Sequence, residues 1–230
     1  MKVGQLDNKF IDIDTKEALR YLSYKNDTVD EETKKLLEES IAELKEISQL
    51  KYVYEIFDIS KNNDSIYFEN SAMHIKSNDL NNLFKYSKKA AVMAATLGFE
   101  VEKKIMYYSL SNLSKAVVFD ACAASYIESL CDYAEFEIKE YALKSGCDIT
   151  QRFSPGYGDV PISHQKEILN ALSTQKLIGL SVSDSCILIP RKSVTAFIGI
   201  GKCCETNYKP CFNCNLSGNC NFSKEGEIQC

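Results

Sequence analysis

Residues 151–161 read Gln151-Arg152-Phe153-Ser154-Pro155-Gly156-Tyr157-Gly158-Asp159-Val160-Pro161 and hold two of the four prolines and two of the ten glycines of the chain. Pro155 fixes its own φ and disfavours the helical region for Ser154, and Gly156 can adopt a positive φ. The stretch therefore predicts a rigid loop with accessible backbone groups beside Arg152. A guanidinium there could bind the carboxylate of a small ligand through two hydrogen bonds. An ordinary turn with a surface arginine is the alternative.

Further short motifs surround this loop in a fixed order. Pro161 follows Tyr157 by four residues, and Gly179-Leu180-x-x-x-x-Ser185 and Ile189-Pro190-x-x-Ser193-Val194 come later. Together with Arg152-x-x-Pro155-Gly156-Tyr157, these motifs resemble the activation domain of cobalamin-dependent methionine synthase. The resemblance extends from about Asp14 to Gly201 and is strongest over Thr96–Val194. It does not cover the last thirty residues.

The resemblance implies a binding site for S-adenosylmethionine and a role in the reductive remethylation of oxidised cobalamin. Arg152 would hold the ligand carboxylate, and Glu128 would contact the amino-acid end of the ligand. Ser154, Gly156 and Tyr157 would offer backbone groups to its adenosine portion. The cobalamin itself would be carried by a partner protein.

Hydrophobic patterning predicts an α+β fold, in which a twisted, mixed or antiparallel sheet packs against long helices. The predicted strands are Ile11–Asp14, Leu50–Ile59, Ser65–Phe68 and a central Lys89–Thr96, and the main predicted helices are Lys16–Ser23, Asp30–Gln49 and Ser114–Lys144. The segment Leu177–Gly201 is predicted to complete the sheet as an antiparallel meander.

Three carboxylates share one face of the longest predicted helix. Glu128, Asp132 and Glu135 stand at positions i, i+4 and i+7. Solvent exposure is the usual explanation for such a face, and we assign it to Asp132 and Glu135.

Composition excludes several classes of protein. The chain has 230 residues, 45% of them hydrophobic, and a net charge of −5, which argues against a nucleic-acid binder. The beginning of the sequence has no apolar signal-peptide core, and no apolar run is long enough to span a membrane. We expect a soluble cytoplasmic protein with an S-adenosylmethionine-binding domain over residues 1–201 and a cysteine-rich tail over residues 202–230.

Six of the ten cysteines fall in the last twenty-eight residues. Cys211-x-x-Cys214 lets two thiolates reach one metal ion, and either Cys203 or Cys204, together with Cys220, is near enough to complete a set of four ligands. Structural zinc and an electron-transferring iron–sulfur cluster both fit these ligands. A redox dithiol or an unstructured tail are the alternatives.

Two functional hypotheses follow. In the first, the protein reactivates a cobalamin-binding methionine synthase or another corrinoid protein by S-adenosylmethionine-dependent reductive methylation, with a flavodoxin or ferredoxin as a candidate reductant. In the second, it is an iron–sulfur or zinc protein that serves a corrinoid protein as an electron-transfer or docking module, and its S-adenosylmethionine pocket is vestigial.

Overall fold

The computed structural model of the protein describes residues 1–24 and 28–202. The strands are β1 (Lys2–Leu6), β2 (Leu50–Asn62), β3 (Ser65–Phe68), β4 (His74–Lys76), β5 (Ser87–Thr96), β6 (Asp148–Ile149), β7 (Ser181–Val182), β8 (Leu188–Ile189) and β9 (Ser193–Gly201). The helices are α1 (Thr15–Tyr21), α2 (Glu31–Ile47), α3 (Asn78–Leu83), α4 (Phe99–Ser111), α5 (Leu113–Leu143), α6 (His164–Ala171) and α7 (Thr174–Ile178).

The main sheet is antiparallel and has β5 near its centre. The strand order is β4-β3-β2-β5-β9-β6, and β1 pairs with β2 beside this path. β5 pairs with β2 from Lys51↔Thr96 to Asp58↔Lys89 on one side and with β9 on the other. Its apolar run is buried on both faces, because helices cover the sheet on both sides. The prediction of a central strand over Lys89–Thr96 is therefore confirmed.

Successive residues of β5 divide between two hydrophobic cores, as the period of two along a strand requires. Ala91, Met93 and Ala95 belong to the core that also holds buried residues of α5, α1 and α2, whereas Ala90 and Val92 belong to the core that holds those of α6 and α7. α5 spans the first core with a buried side that includes Leu130, Ala134 and Ile138. The fold is thus α+β with a long central helix, as predicted.

Two predicted elements are wrong. Leu177–Gly201 does not form a meander of the main sheet, since Leu177 and Ile178 end helix α7, and β7 and β8 pair only with each other. Gly179, in the left-handed conformation, ends α7, and Thr174 Oγ1 donates a hydrogen bond to the Leu180 carbonyl at 2.8 Å across this turn. Only β9 joins the sheet.

Ile11–Asp14 forms no strand, although its two isoleucines are buried in the first core. Alternating burial therefore occurs there without backbone pairing. Strand β1 was not predicted from the sequence, because its residues are mostly exposed and do not alternate between apolar and polar. In the part of the chain that the structure describes, no helix is long and apolar enough to cross a membrane.

Candidate functional site

The segment that carries Arg152 runs along the edge of the main sheet beside β9. Phe153 and Phe197 exchange two backbone hydrogen bonds of 2.9 Å, and the Thr150 N–H donates to the Gly199 carbonyl at 2.9 Å. Phe153 is buried in the second core, under α6 and α7. Since neighbouring residues of an extended segment point to opposite faces, the side chain of Arg152 is directed to the other face, where α5 lies.

Arg152 meets the three carboxylates of α5 there. Its Nη1 lies 2.7 Å from Asp132 Oδ1 and 2.8 Å from Glu135 Oε2, and its Nη2 lies 3.1 Å from Glu128 Oε2. One guanidinium thus binds three successive positions on one face of the helix. The charged ends of Arg152 and Glu128, two of the residues that the resemblance assigns to ligand binding, are therefore in contact.

The three carboxylates differ in exposure. The exposed fraction of the side chain is 30% for Glu135, 42% for Glu128 and 70% for Asp132, against 20% for Arg152. Burial raises the pKa of the Glu135 carboxyl above its ordinary value, although the Arg152 charge works in the opposite direction. Glu135 therefore forms the inner side of the cluster, and Asp132 forms its solvent side.

The interpretation of Asp132 and Glu135 as a solvated face was only half right. Asp132 is exposed, but Glu135 is partly buried, and both bind Arg152. The signal that could have found them was the combination of carboxylates at i, i+4 and i+7 with the single arginine of a constrained loop. Cys131, which precedes Asp132 on α5, is fully buried. Burial raises the pKa of its thiol, so the thiol stays protonated at neutral pH.

The loop after Arg152 is closed by its own backbone. The Gly156 N–H donates to the Val160 carbonyl at 2.8 Å, and the Tyr157 N–H donates to the Ser154 carbonyl at 3.3 Å. Gly156 has φ = 94° and Gly158 has φ = 53°, in the left-handed region that side chains disfavour. The rigid turn predicted from Pro155-Gly156 is present.

This closure limits which backbone groups could meet a ligand. The N–H groups of Gly156 and Tyr157 are used inside the loop. Within residues 1–24 and 28–202, the Ser154 N–H and the Gly156 carbonyl have no hydrogen-bond partner. The Tyr157 side chain is 66% exposed. These are the groups through which Ser154, Gly156 and Tyr157 could contribute.

Asp159 fastens the far end of the loop to the start of α3. Its Oδ2 accepts from the Asn78 N–H at 2.7 Å, and its Oδ1 accepts from the Asp79 N–H at 3.3 Å and from the Ser77 hydroxyl. The Asp159 N–H in turn donates to Asp79 Oδ2 at 3.1 Å. Both ends of the loop are therefore held by other elements, one by β9 and one by α3.

A groove of ≈ 440 Å³ runs along α5 before the carboxylate cluster, and small side chains on α5 leave it open. It is lined by Tyr21, Val117, Ala121 and Ala124 among others, and Ala124 lies one helical turn before Glu128. Burial, then the charges of Glu128 and Glu17, raise the pKa of Tyr21 to about 12. The C-terminal end of α1 thus lies beside the cluster.

Cys203, Cys204, Cys211, Cys214 and Cys220, the predicted metal ligands, lie outside the described residues. Within the described ranges 1–24 and 28–202, no group of three or more His, Cys, Asp or Glu side chains is arranged to hold a metal ion.

A scan of the sequence against protein-family models finds no match, and a search of curated proteins finds no significant one. Solved structures do match. One is described as the crystal structure of the MetH reactivation domain bound to AdoHcy, with a TM-score of 0.69 over 90% of this chain and 79% of that chain. The chain has the fold of the MetH reactivation domain. At 14% sequence identity the likeness is one of fold, and at that level it confirms the predicted resemblance to the activation domain of methionine synthase.

Proposed function

We propose that this protein binds S-adenosylmethionine at the loop Arg152–Tyr157 and reactivates a cobalamin-dependent methyltransferase, most simply methionine synthase. The observation that carries the proposal is the meeting of Arg152 with the α5 carboxylates in a fold shared with a domain that binds AdoHcy. AdoHcy, S-adenosylhomocysteine, is S-adenosylmethionine after loss of its methyl group.

The amino-acid end of S-adenosylmethionine carries a carboxylate, an ammonium and a sulfonium. The two Nη groups of Arg152 can bind a carboxylate side by side, and the α5 carboxylates can accept from the ammonium. Nη1 is shared by Asp132 and Glu135, so a ligand carboxylate would replace one of them there. Asp132 is the more exposed of the two and the easier to displace.

The adenosine end would lie against the closed loop. The Ser154 N–H and the Gly156 carbonyl supply one donor and one acceptor, and an adenosine has both kinds of polar edge. The exposed Tyr157 ring offers an aromatic surface to a purine. Because both ends of the loop are fastened, these groups are ordered before a ligand arrives, which lowers the entropic cost of binding.

When the partner docks, the cobalt of its cobalamin would supply the nucleophile, once an external reductant such as a flavodoxin or ferredoxin has supplied one electron. The methyl group would pass from the sulfonium to the cobalamin of the partner, the pair of electrons of the broken carbon–sulfur bond would stay on sulfur, and S-adenosylhomocysteine would remain. Methyl transfer moves no proton, so the chain needs no general acid or base. Its contribution is to hold the sulfonium in place and to present it to the partner.

The test is transfer of a labelled methyl group from S-adenosylmethionine to the cobalamin of a methionine synthase that lacks an activation domain, with a reductant present. We expect transfer to require this protein and to fall at least tenfold in Arg152→Lys, because an ammonium cannot replace the planar fork of donors. Arg191→Lys is the matched control, since Arg191 binds Glu102 away from the loop. Equal transfer by both variants would contradict the assignment of Arg152.

The division into residues 1–201 and 202–230, and a zinc ion or iron–sulfur cluster on the tail cysteines, stay predictions. Metal analysis of the purified protein beside a variant with Cys211 and Cys214 replaced by serine would test the second of these.

A further inference from the structure

The charges around Arg152 do not balance. Three carboxylates lie within 3.1 Å of one guanidinium, which leaves a formal excess of two negative charges. Two further described cations near the cluster have carboxylate partners of their own. The charge of Lys139, one turn beyond Glu135, works to lower the pKa of the Glu135 carboxyl, and Lys139 Nζ also lies 3.9 Å from Asp148 Oδ1. Arg20 binds Glu17. The site is therefore electronegative, although its central side chain is a cation.

Asp132 is the member of this cluster that solvent reaches most easily. It is the most exposed of the three carboxylates, and its bond to Arg152 uses an Nη1 that Glu135 binds from the buried side. A ligand carboxylate that binds Nη1 in this position would break the bond between Asp132 and Arg152, but the Asp132 carboxylate would stay nearby. Asp132 would then be an uncompensated negative charge beside the bound ligand.

We propose that Asp132 is a specificity-determining residue of this site, which favours S-adenosylmethionine over S-adenosylhomocysteine through the charge of its carboxylate. The proposal rests on the proposed function. The two ligands share the carboxylate, the ammonium and the adenosine, and they differ in the methyl group and in the charge of the sulfur. A released carboxylate attracts the sulfonium and gains nothing from the neutral thioether. The same charge helps the methyl donor to bind and the spent product to leave.

The ratio of the two dissociation constants isolates this effect. Replacing Asp132 also removes a competitor for Arg152, which changes the affinity for both ligands in the same way and cancels in the ratio. Two unit charges about 4 Å apart in water interact by roughly 1 kcal/mol. Since each 1.4 kcal/mol is tenfold in affinity, Asp132→Asn should lower the preference for S-adenosylmethionine by about fivefold.

The experiment is calorimetric titration of both ligands into the full chain at about 0.1 M salt, for the wild type, Asp132→Asn and Asp120→Asn. Asp120 is the matched control, an α5 aspartate paired with Lys192 at 3.0 Å. It lies twelve residues away, about 18 Å along the helix axis. That separation exceeds the Debye length of about 10 Å at 0.1 M salt. Asp132→Asn conserves shape at an exposed position, so the variant should fold.

The proposal is supported if the preference for S-adenosylmethionine over S-adenosylhomocysteine, measured as the ratio of the two dissociation constants, falls in Asp132→Asn and does not fall in Asp120→Asn. An unchanged ratio in Asp132→Asn overturns it, as does equal affinity of the wild type for both ligands, and both of these results leave the proposed function standing. Wild-type protein that binds neither ligand overturns the proposed function itself and this inference with it.

Discussion

Replacement of Asp159 by alanine tests how the loop is held. The Asp159 carboxylate accepts from the Asn78 N–H at 2.7 Å, from the Asp79 N–H at 3.3 Å and from the Ser77 hydroxyl, so it covers the first free donors of α3. Losing a side chain that caps a helix costs about 0.5–2 kcal/mol. A hydrogen bond to a charged group contributes about 1.5–3 kcal/mol.

We therefore expect Asp159→Ala to lower the free energy of unfolding by about 2 kcal/mol. With a slope of roughly 2 kcal/mol per molar urea for a chain of this class, the midpoint of urea unfolding should fall by about 1 M. Asp159→Asn keeps one acceptor oxygen, so its urea midpoint should lie between those of Asp159→Ala and the wild type.

The loss should depend on pH in a defined direction. Burial works to raise the pKa of the Asp159 carboxyl, but its hydrogen bonds with Ser77, Asn78 and Asp79 lower that pKa below the ordinary value. A lowered pKa in the folded protein means that the ionised form stabilises the fold above the unfolded pKa of about 3.9. This stabilisation is lost as the pH falls through the folded pKa. The deficit of Asp159→Ala should thus be complete at pH 7 and shrink below about pH 4.

The assay is urea unfolding followed by circular dichroism at a series of pH values, with Asp184→Ala as the control. Asp184 is an exposed aspartate in the turn between β7 and β8, away from α3. Either of two results would refute the role assigned to this carboxylate: an Asp159→Ala protein no less stable than Asp184→Ala at pH 7, or a deficit as large at about pH 3 as at pH 7.

Two further predictions concern the scaffold. Leu130→Ala should lower the free energy of unfolding by about 2–5 kcal/mol, because Leu130 is fully buried under the sheet. The control is Leu110→Ala, at a side chain that is 92% exposed, which should change the free energy of unfolding by less than about 0.5 kcal/mol. Similar losses for the two variants in thermal or urea unfolding would contradict the placement of α5. Glu102→Gln should cost about 1–3 kcal/mol, since the buried carboxylate accepts from the backbone N–H and from Nε of Arg191 at 2.9 Å each. An unchanged melting temperature in Glu102→Gln would show that this contact does not hold the turn before β9.

Local sequence signals predicted the parts of the fold that depend on neighbours in the chain. The apolar run Lys89–Thr96 is continuous because both faces of β5 are covered, and such a run is typical of a central strand. The 3.6-residue periodicity of α5 is equally local, and the structure places the helix at Leu113–Leu143, close to the predicted Ser114–Lys144. Pro155-Gly156 predicted a turn, and the turn needs the positive φ that Gly156 adopts.

The partners of Arg152 could not be predicted in the same way. Arg152 and Glu128 are twenty-four residues apart, and they meet only because the segment after β6 runs beside β9 and under α5. The exposure of Glu135 depends on this tertiary contact, so a helical pattern alone could not separate it from Asp132. The prediction of a meander over Leu177–Gly201 was wrong for the same reason. Short apolar runs in a sequence do not show whether the strands they form pair with the main sheet or with each other.

The central claim is that the loop around Arg152 binds S-adenosylmethionine, and calorimetric titration of that ligand into protein purified without oxygen tests it most directly. Wild-type protein should bind with one-to-one stoichiometry, and Arg152→Ala should lose at least tenfold in affinity while its circular dichroism stays unchanged. Binding of the wild type that persists undiminished in Arg152→Ala, or no binding to well-folded wild-type protein, would contradict the account.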